Sequence, residues 1–361
     1  MSKRLYLALV LILLAMLSSQ VLPYEGLINQ FIASQGPKCT LPEHIQAANQ
    51  DRAVGVCPAG DGADTIELTG DVVLTEGLPP IQSDITIIGN RHVIIGSGEH
   101  PIFVVNEGKL TLRDLRLTKG QAGAGGAIRL EPSTEATLHS VTISESQAQS
   151  GGAIYNRRGT LTINNSSLRN NRANGCGGAI YNLGQLTITE SSLHENWAHS
   201  AGAIYSNGEL SVSNTSIFKN FAGRFGGGIK SQNSDNASLV HVTIVENIAD
   251  RGGGIYAIGE SITLINSLLA DNEVRRGCNP EHMPHVRNIA SFIEKPCDGQ
   301  WFNKAWLGRQ TGDPAYLTVR RWSDAHYAAH PDHCLPTDQL GVARPQGAAC
   351  DIGAIESDMD F

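Results

Sequence analysis

Between Asp84 and Asn272 the chain alternates apolar and polar residues in short runs, and the runs recur. Alignment on one isoleucine gives Ile128, Ile154, Ile180, Ile204, Ile229 and Ile255, each preceded by Ala or Gly, at a period of 24 to 26 residues. A second column reads Leu161-Thr162-Ile163, Leu186-Thr187-Ile188, Leu210-Ser211-Val212 and Ile262-Thr263-Leu264, and a third Leu168, Leu193, Ile217, Ile244 and Leu269. Each copy thus holds three runs of strand type separated by Gly, Asn and Ser turns, none of them long enough or patterned as a helix. Helical solenoids need longer amphipathic stretches, and leucine-rich repeats need a different spacing of leucine and asparagine. The predicted fold is all-β: a single-stranded parallel β-helix with three strands per turn and about eight turns, stacked at ~4.8 Å into a rod on the order of 40 Å long.

Stacking gives each column a job. Paired glycines such as Gly151-Gly152 and Gly177-Gly178 allow a turn in which no Cβ strikes the turn above. The asparagines three residues past the third column, Asn171, Asn196, Asn220, Asn247 and Asn272, are expected to hydrogen-bond along the rod axis at a corner short of water. The column after the ladder isoleucine reads Arg129, Tyr155, Tyr181, Tyr205, Lys230, Tyr256. Arg and Lys cannot sit unpaired in so thin a core, so this column points outward and the tyrosines are expected to be exposed and stacked. Ring stacking alone stabilises a parallel sheet, but the same stripe is a surface along which a sugar or an extended peptide can lie.

An open solenoid exposes unpaired edges and an apolar cross-section, so both ends need covering. Residues 21–83 and 277–361 flank the repeats of 84–276 and are read as caps; they hold six of the seven cysteines. Pairing neighbours along the chain gives Cys39 with Cys57, Cys278 with Cys297, and Cys334 with Cys350 as the simplest connectivity, with others open. Cys176 is left over inside a repeat and reads as a small buried residue. Thr40 followed by Glu43 forms a capping box ahead of Leu41, Ile45 and Ala48 on one helical face, which predicts a short helix plugging the first turn.

Lys3 and Arg4 precede an apolar run from Leu5 to Leu17, so residues 1–20 read as a secretory signal peptide. No other stretch is apolar enough to predict a membrane span in the mature chain. Removal of the segment takes two cations and no carboxylate, moving the formal net charge from -8 to -10. That charge argues against nucleic acid or anionic lipid as partner.

The repeats "GGAIYNRRGTLTINNSSLRNNRA" and "GGAIYNLGQLTITESSLHENWA" resemble the right-handed parallel β-helix repeats of bacterial surface proteins, including polymorphic outer-membrane proteins and pectate-lyase-like folds. "CTLPEHIQAAN" from Cys39 resembles the CSLREAI region that precedes such helices, with Pro42 and His44 departing from that motif. "DQLGVARPQGAACDIGAIE" from Asp338 is similar to the choice-of-anchor Q ending of the same exported proteins. The resemblance implies a secreted, periplasmic or surface-associated protein. With only Ser357 to Phe361 after the motif, release or noncovalent attachment is the expectation.

Many β-helices act on acidic polysaccharides. Glycoside hydrolysis wants two carboxylates roughly 5–10 Å apart, and β-elimination a base with a cation beside it. The position before each ladder asparagine reads Glu145, Asn170, Glu195, Lys219, Glu246, Asp271, which makes Glu246 and Asp271 the candidate pair, able to share a proton or attract Ca²⁺. Lys219 in the same column makes a charge-compensated outer face the competing reading. The Asp-Asp, His-Gly, Arg-x-Lys and Arg-x-Pro-x-x-Arg elements of polysaccharide-cleaving relatives are missing. "HYAAHPDHC", His326 to Cys334, offers zinc-type ligands, but Pro331 interrupts any helix aligning them and Cys350 is a candidate disulfide partner for Cys334, so a solvated loop is expected there rather than a metal site. The expected function is a binding or adhesion module for a glycan or surface protein, with Tyr155, Tyr181, Tyr205 and Tyr256 as the candidate surface. The alternatives are a polysaccharide-active enzyme and a bare structural rod.

Overall fold

The computed structural model describes residues 38–232, 237–258, 262–275, 287–289, 292–293, 307–319 and 323–357. Residues 1–20, Cys278 and Cys297 lie outside them. The chain winds into an all-parallel β-solenoid of about eight turns. Two of its faces are seven-stranded sheets, and the third is a longer sheet bent along its middle. The six matched isoleucines pair in register from Ile128 through Ile255, and Phe103 extends their row by one turn. The second and third columns pair just as directly, Leu161 with Leu186 and Leu210, and Leu168 with Leu193, Ile217, Ile244 and Leu269. Their side chains form one continuous buried core.

Three corners close each turn, and each is a single residue in the left-handed region. One corner runs through Asp114, Ser140, Asn165, Glu190, Asn214, His241 and Asn266; the second through Lys119, Glu145, Asn170, Glu195, Lys219, Glu246 and Asp271. Their φ values fall between 43° and 59°, a conformation that asparagine and aspartate tolerate better than most side chains. At the third corner a left-handed Gly or Ala precedes a glycine that admits no side chain. A Cβ on Gly152 or Gly178 would stand 2.2 or 2.1 Å from the carbonyl oxygen of the equivalent glycine one turn on.

Polar ladders run inside these corners. The asparagine Nδ2 of 171, 196, 220 and 247 donates to Oδ1 of the next asparagine at 3.1, 2.9, 2.9 and 3.0 Å. The same Oδ1 atoms accept the backbone N–H of the preceding turn. A second ladder, absent from the sequence reading, uses hydroxyls at the first corner: Ser166, Ser191, Thr215 and Ser267 accept from the backbone N–H of Val141, Ser166, Ser191 and Val242. Buried backbone donors at a sharp corner are thereby satisfied without water.

A helix, α1 (Leu41–Gln50), covers the first turn. Both halves of its capping box form: Thr40 N–H donates to Glu43 Oε2 at 3.0 Å, and Thr40 Oγ1 accepts from Glu43 N–H. Leu41, Ile45 and Ala48 join the rod's core. The Cys39–Cys57 disulfide closes the loop around the helix.

The C-terminal segment holds the Cys334–Cys350 disulfide. Its described residues, 307–319 and 323–357, lie along the side of the rod. Ala315 N–H donates to Ser192 Oγ at 3.0 Å, Ser216 Oγ to Gln339 Oε1 at 2.6 Å, and Ala354 N–H to Thr243 Oγ1 at 2.9 Å. The cause is a change in the outward file of the third column. It reads Thr118, Ser144, Arg169 in the early turns and His194, Phe218, Val245, Ala270 in the later ones. Phe218, Val245, Leu268 and Ala270 pack with Ala315, Leu317, Val319, Ala325 and Ile352 in a second core.

The charged residues of "DQLGVARPQGAACDIGAIE" hold this segment together. Arg344 donates to Glu356 at 2.8 Å with both side chains fully buried, and also to the carbonyls of Asp351 and Gly353. Asp338 accepts the N–H groups of Leu340, Val342 and Glu356.

Candidate functional site

The face centred on the tyrosine column is built by the isoleucine sheet, whose alternation sends Ile154, Ile180 and Ile204 inward and the next residue outward. Register places Arg129, Tyr155, Tyr181, Tyr205, Lys230 and Tyr256 in one file. Tyr155 and Tyr181 stack at 5.0 Å between centroids and 10° between planes; Tyr181 and Tyr205 at 4.5 Å and 20°. Exposure differs from the expectation. Tyr155 and Tyr181 are half-buried, while Tyr205 and Tyr256 retain only 8% and 7% of their surface. An outward position is not an open one where neighbouring turns lie a strand spacing away and cover each ring's faces.

The environment fixes the protonation of this file. Burial, with the neighbouring tyrosines, pushes the Tyr181 phenol well above its ordinary value, and burial raises that of Tyr205. Tyr205 donates its hydroxyl to Gln232 Oε1 at 3.2 Å. Cys176, half-buried next to them, also has its thiol pKa raised by burial, against the pull of Lys230. The raised values keep Tyr181, Tyr205 and Cys176 in their protonated forms near pH 7, so they offer hydroxyls, a thiol and ring faces.

The two ends of the file differ in charge. Arg129 pairs with Glu131 at 2.8 Å, and Glu131 also takes Arg157 at 3.0 Å. At the other end Lys230 Nζ sits 5.4 Å from the Tyr205 centroid and 5.3 Å from that of Phe225. Phe225 in turn packs at 4.6 Å against Tyr256, its ring tilted by 38°. A second outward aromatic file lies on the adjoining sheet, where Arg172 stands 4.2 Å over Trp197 and Trp197 stacks with Phe221 at 6.3 Å. Sequence reading missed it, although Trp197 and Phe221 hold the same repeat position.

The candidate carboxylates Glu246 and Asp271 both occupy left-handed corner positions on successive turns. Glu246 pairs with Lys219 at 3.8 Å, and Lys219 also donates to Gln310 at 3.1 Å.

The histidines of "HYAAHPDHC" are spent locally: His326 packs on the Tyr327 ring, and His330 Nδ1 accepts from Asp332 N–H at 3.3 Å, capping a short 3-10 turn. Cys334 is bonded to Cys350, so it offers no thiolate. Among the described residues, Cys39, His44 and Cys57 come close enough to resemble a metal set, but their two sulfurs form the first disulfide. A polar cleft of about 480 Å³ lies between the rod and the C-terminal segment, lined by Arg91, Asp114, Arg116, Thr142, Asn165 and Asp313 among others. Among the described residues, no helix is long and apolar enough to cross a membrane.

No curated protein and no solved structure matches this chain. Residues 126–280 match the family model described as the right handed beta helix region, a stretch that includes the tyrosine file from Arg129 to Tyr256 and both corner carboxylates, and gives the solenoid its hand.

Proposed function

We propose that this chain is an exported, noncatalytic binding module that takes an extended ligand, a glycan or a surface protein, along the tyrosine file. The observation that carries the reading is the unbroken stack Tyr155–Tyr181–Tyr205 on a rod face that the described residues of the C-terminal segment leave uncovered. Ring faces, phenol hydroxyls and regular spacing suit a polymer that repeats along its axis. The two half-buried rings, Tyr155 and Tyr181, form the contact surface; Tyr205 supports it from within the stack, and Tyr256 lies beyond Lys230 against Phe225.

Two disulfides and the signal-like segment at residues 1–20 support export to an oxidising compartment. The CSLREAI-like start and choice-of-anchor Q-like ending support periplasmic, surface-associated or extracellular residence. On this reading residues 21–83 and 277–361 are accessory to the repeats of 84–276. Pairing of Cys278 with Cys297 belongs to the same proposal.

The test is glycan-array and cell-surface binding, with and without Ca²⁺, by the parent and by Tyr155→Ser/Tyr181→Ser. Loss of binding with the circular dichroism spectrum retained is expected, and unchanged binding removes the file from consideration. Incubation with polysaccharides, followed by unsaturated-uronate absorbance and reducing-sugar release, separates this reading from a polysaccharide-active enzyme. Product formation abolished by Glu246→Gln or Asp271→Asn would overturn the noncatalytic assignment.

A further inference from the structure

The tyrosine file ends in a cluster of cations gathered on one ring. Around Phe225 stand the Arg224 guanidinium at 5.2 Å from the ring centroid, Lys230 Nζ at 5.3 Å and the Arg251 guanidinium at 6.0 Å. Tyr256 supports the ring at 4.6 Å. Arg224 and Arg251 are exposed and Lys230 half-buried. Among the described residues no carboxylate pairs with any of the three, whereas the next arginine on this flank, Arg275, is matched to Asp250 at 2.9 Å.

Three unmatched cations confined to a region about one Debye length across, ~10 Å, repel one another. The ring quadrupole offsets part of that repulsion. A protein whose formal charge is -8 has carboxylates to spare, yet among the described residues none is paired with these three. An anion seated among the three would relieve the repulsion and supply their missing hydrogen-bond acceptors. The aromatic rings lie beneath the cations, packed against each other, rather than projecting as apolar wedges. That favours a water-borne polymer over a lipid surface.

Because Lys230 is itself the residue after Tyr205 in the file, a chain lying along the tyrosines reaches the cations without a bend. We infer that Arg224, Lys230 and Arg251 form an anion subsite that selects a glycan carrying sulfate or carboxylate groups, an inference that rests on the glycan reading of the tyrosine file and names its ligand class.

The experiment uses the full chain against immobilised dextran sulfate, polygalacturonate and neutral dextran, and against phosphatidylglycerol vesicles, over a series of salt concentrations. The parent is expected to bind at least one of the two acidic polymers, more weakly as salt rises, and dextran about tenfold less tightly or not at all. The responding polymer tells sulfate from carboxylate. Arg224→Gln/Arg251→Gln should lose about tenfold in affinity for that polymer and become less sensitive to salt, while Arg224→Lys/Arg251→Lys keeps most of the binding. An unchanged unfolding midpoint for the Gln pair is expected from two exposed side chains; if that pair misfolds, binding by the Lys pair that survives low but not high salt decides. Equal binding by parent and Gln pair, a preference for dextran, or binding to vesicles alone overturns the inference. If neutral glycans bind through Tyr155 and Tyr181 while the Gln pair changes nothing, only the anion subsite falls. If no glycan binds at all, the reading of the file falls with it.

Discussion

Among the files of stacked rings on the outside of this rod, the chain treats two very differently. On one flank His194 and Phe218 stack at 4.8 Å and 4°, continue into Val245 and Ala270, and are buried under the C-terminal segment. On the other, Tyr155, Tyr181 and Tyr205 stack in the same way and end in cations. The difference lies in the edges of the rings. Phenylalanine, valine and alanine leave nothing to hydrogen-bond, so water is excluded only when another part of the chain covers them. Phenols flanked by arginine and lysine keep their polar rims and tolerate solvent. A solenoid presents every outward position repeatedly, so a one-residue change of polarity per turn decides which face is internal packing and which remains open.

The largest expected effect comes from breaking the covered side. Arg344→Ala strands the fully buried Glu356 carboxylate, at a cost of about 3–5 kcal/mol. Limited proteolysis should then cut within 307–357 and a hydrophobic dye should find Phe218, while the rod keeps its β-sheet circular dichroism. Loss of rod and segment in one transition would show the two flanks to be a single cooperative unit.

Acid should act on the same flank. His241 is fully buried, its Nδ1 against the Gly353 carbonyl at 3.2 Å and its Nε2 against the Asn266 amide at 3.2 Å. That pattern assigns the neutral ring, with the proton on Nδ1. Burial first, then the Arg344 charge, depresses its pKa to about 3. The unfolded chain's histidine takes up a proton near pH ~6.5, well before the folded one does. Stability is therefore complete above that pH and declines as the pH falls toward the folded value, by about 2 kcal/mol between pH 6 and 4.5. Urea titrations at several pH values check this. His241→Asn, which suits the left-handed corner, should flatten the slope, and an equally steep decline in that variant would assign the acid sensitivity elsewhere.

On the open side the effects are smaller. Tyr181→Ser removes two ring contacts at once and should cost about 1 kcal/mol, read as a modest fall in unfolding midpoint, with ligand binding affected far more than stability. Glu246→Gln should be smallest. The pair with Lys219 is half-exposed, so a change under about 0.5 kcal/mol is expected in denaturant titration, and a larger one would mean that this corner matters to the rod's packing.

Much of the fold was legible because parallel in-register stacking turns spacing along the chain into contact between turns. The isoleucine row, the asparagine ladder and the second-glycine position all follow from identical residues 24 to 27 apart. The hydroxyl ladder escaped notice because Ser166, Ser191 and Thr215 look like ordinary turn residues until the backbone N–H of the preceding turn is seen to point at them. The covered flank required reading outward positions turn by turn, from Arg169 to His194 to Phe218. In the candidate site, Arg129 and Lys230 gave the direction of the tyrosines, yet direction does not set exposure. The cation cluster stayed hidden because Phe225 stands where the equivalent positions one and two turns earlier carry Ser200 and Cys176, a departure from the repeat rather than part of it.

The three left-handed corners bear on how such a molecule changes length. Every turn carries its own bends and leans only on the layers directly above and below, so duplication or loss of one repeat alters reach by a fixed step and leaves distant layers as they were. Length in this architecture is counted in whole repeats. A ligand surface written once per repeat would gain or lose a contact with each step, so that avidity and extent are inherited together.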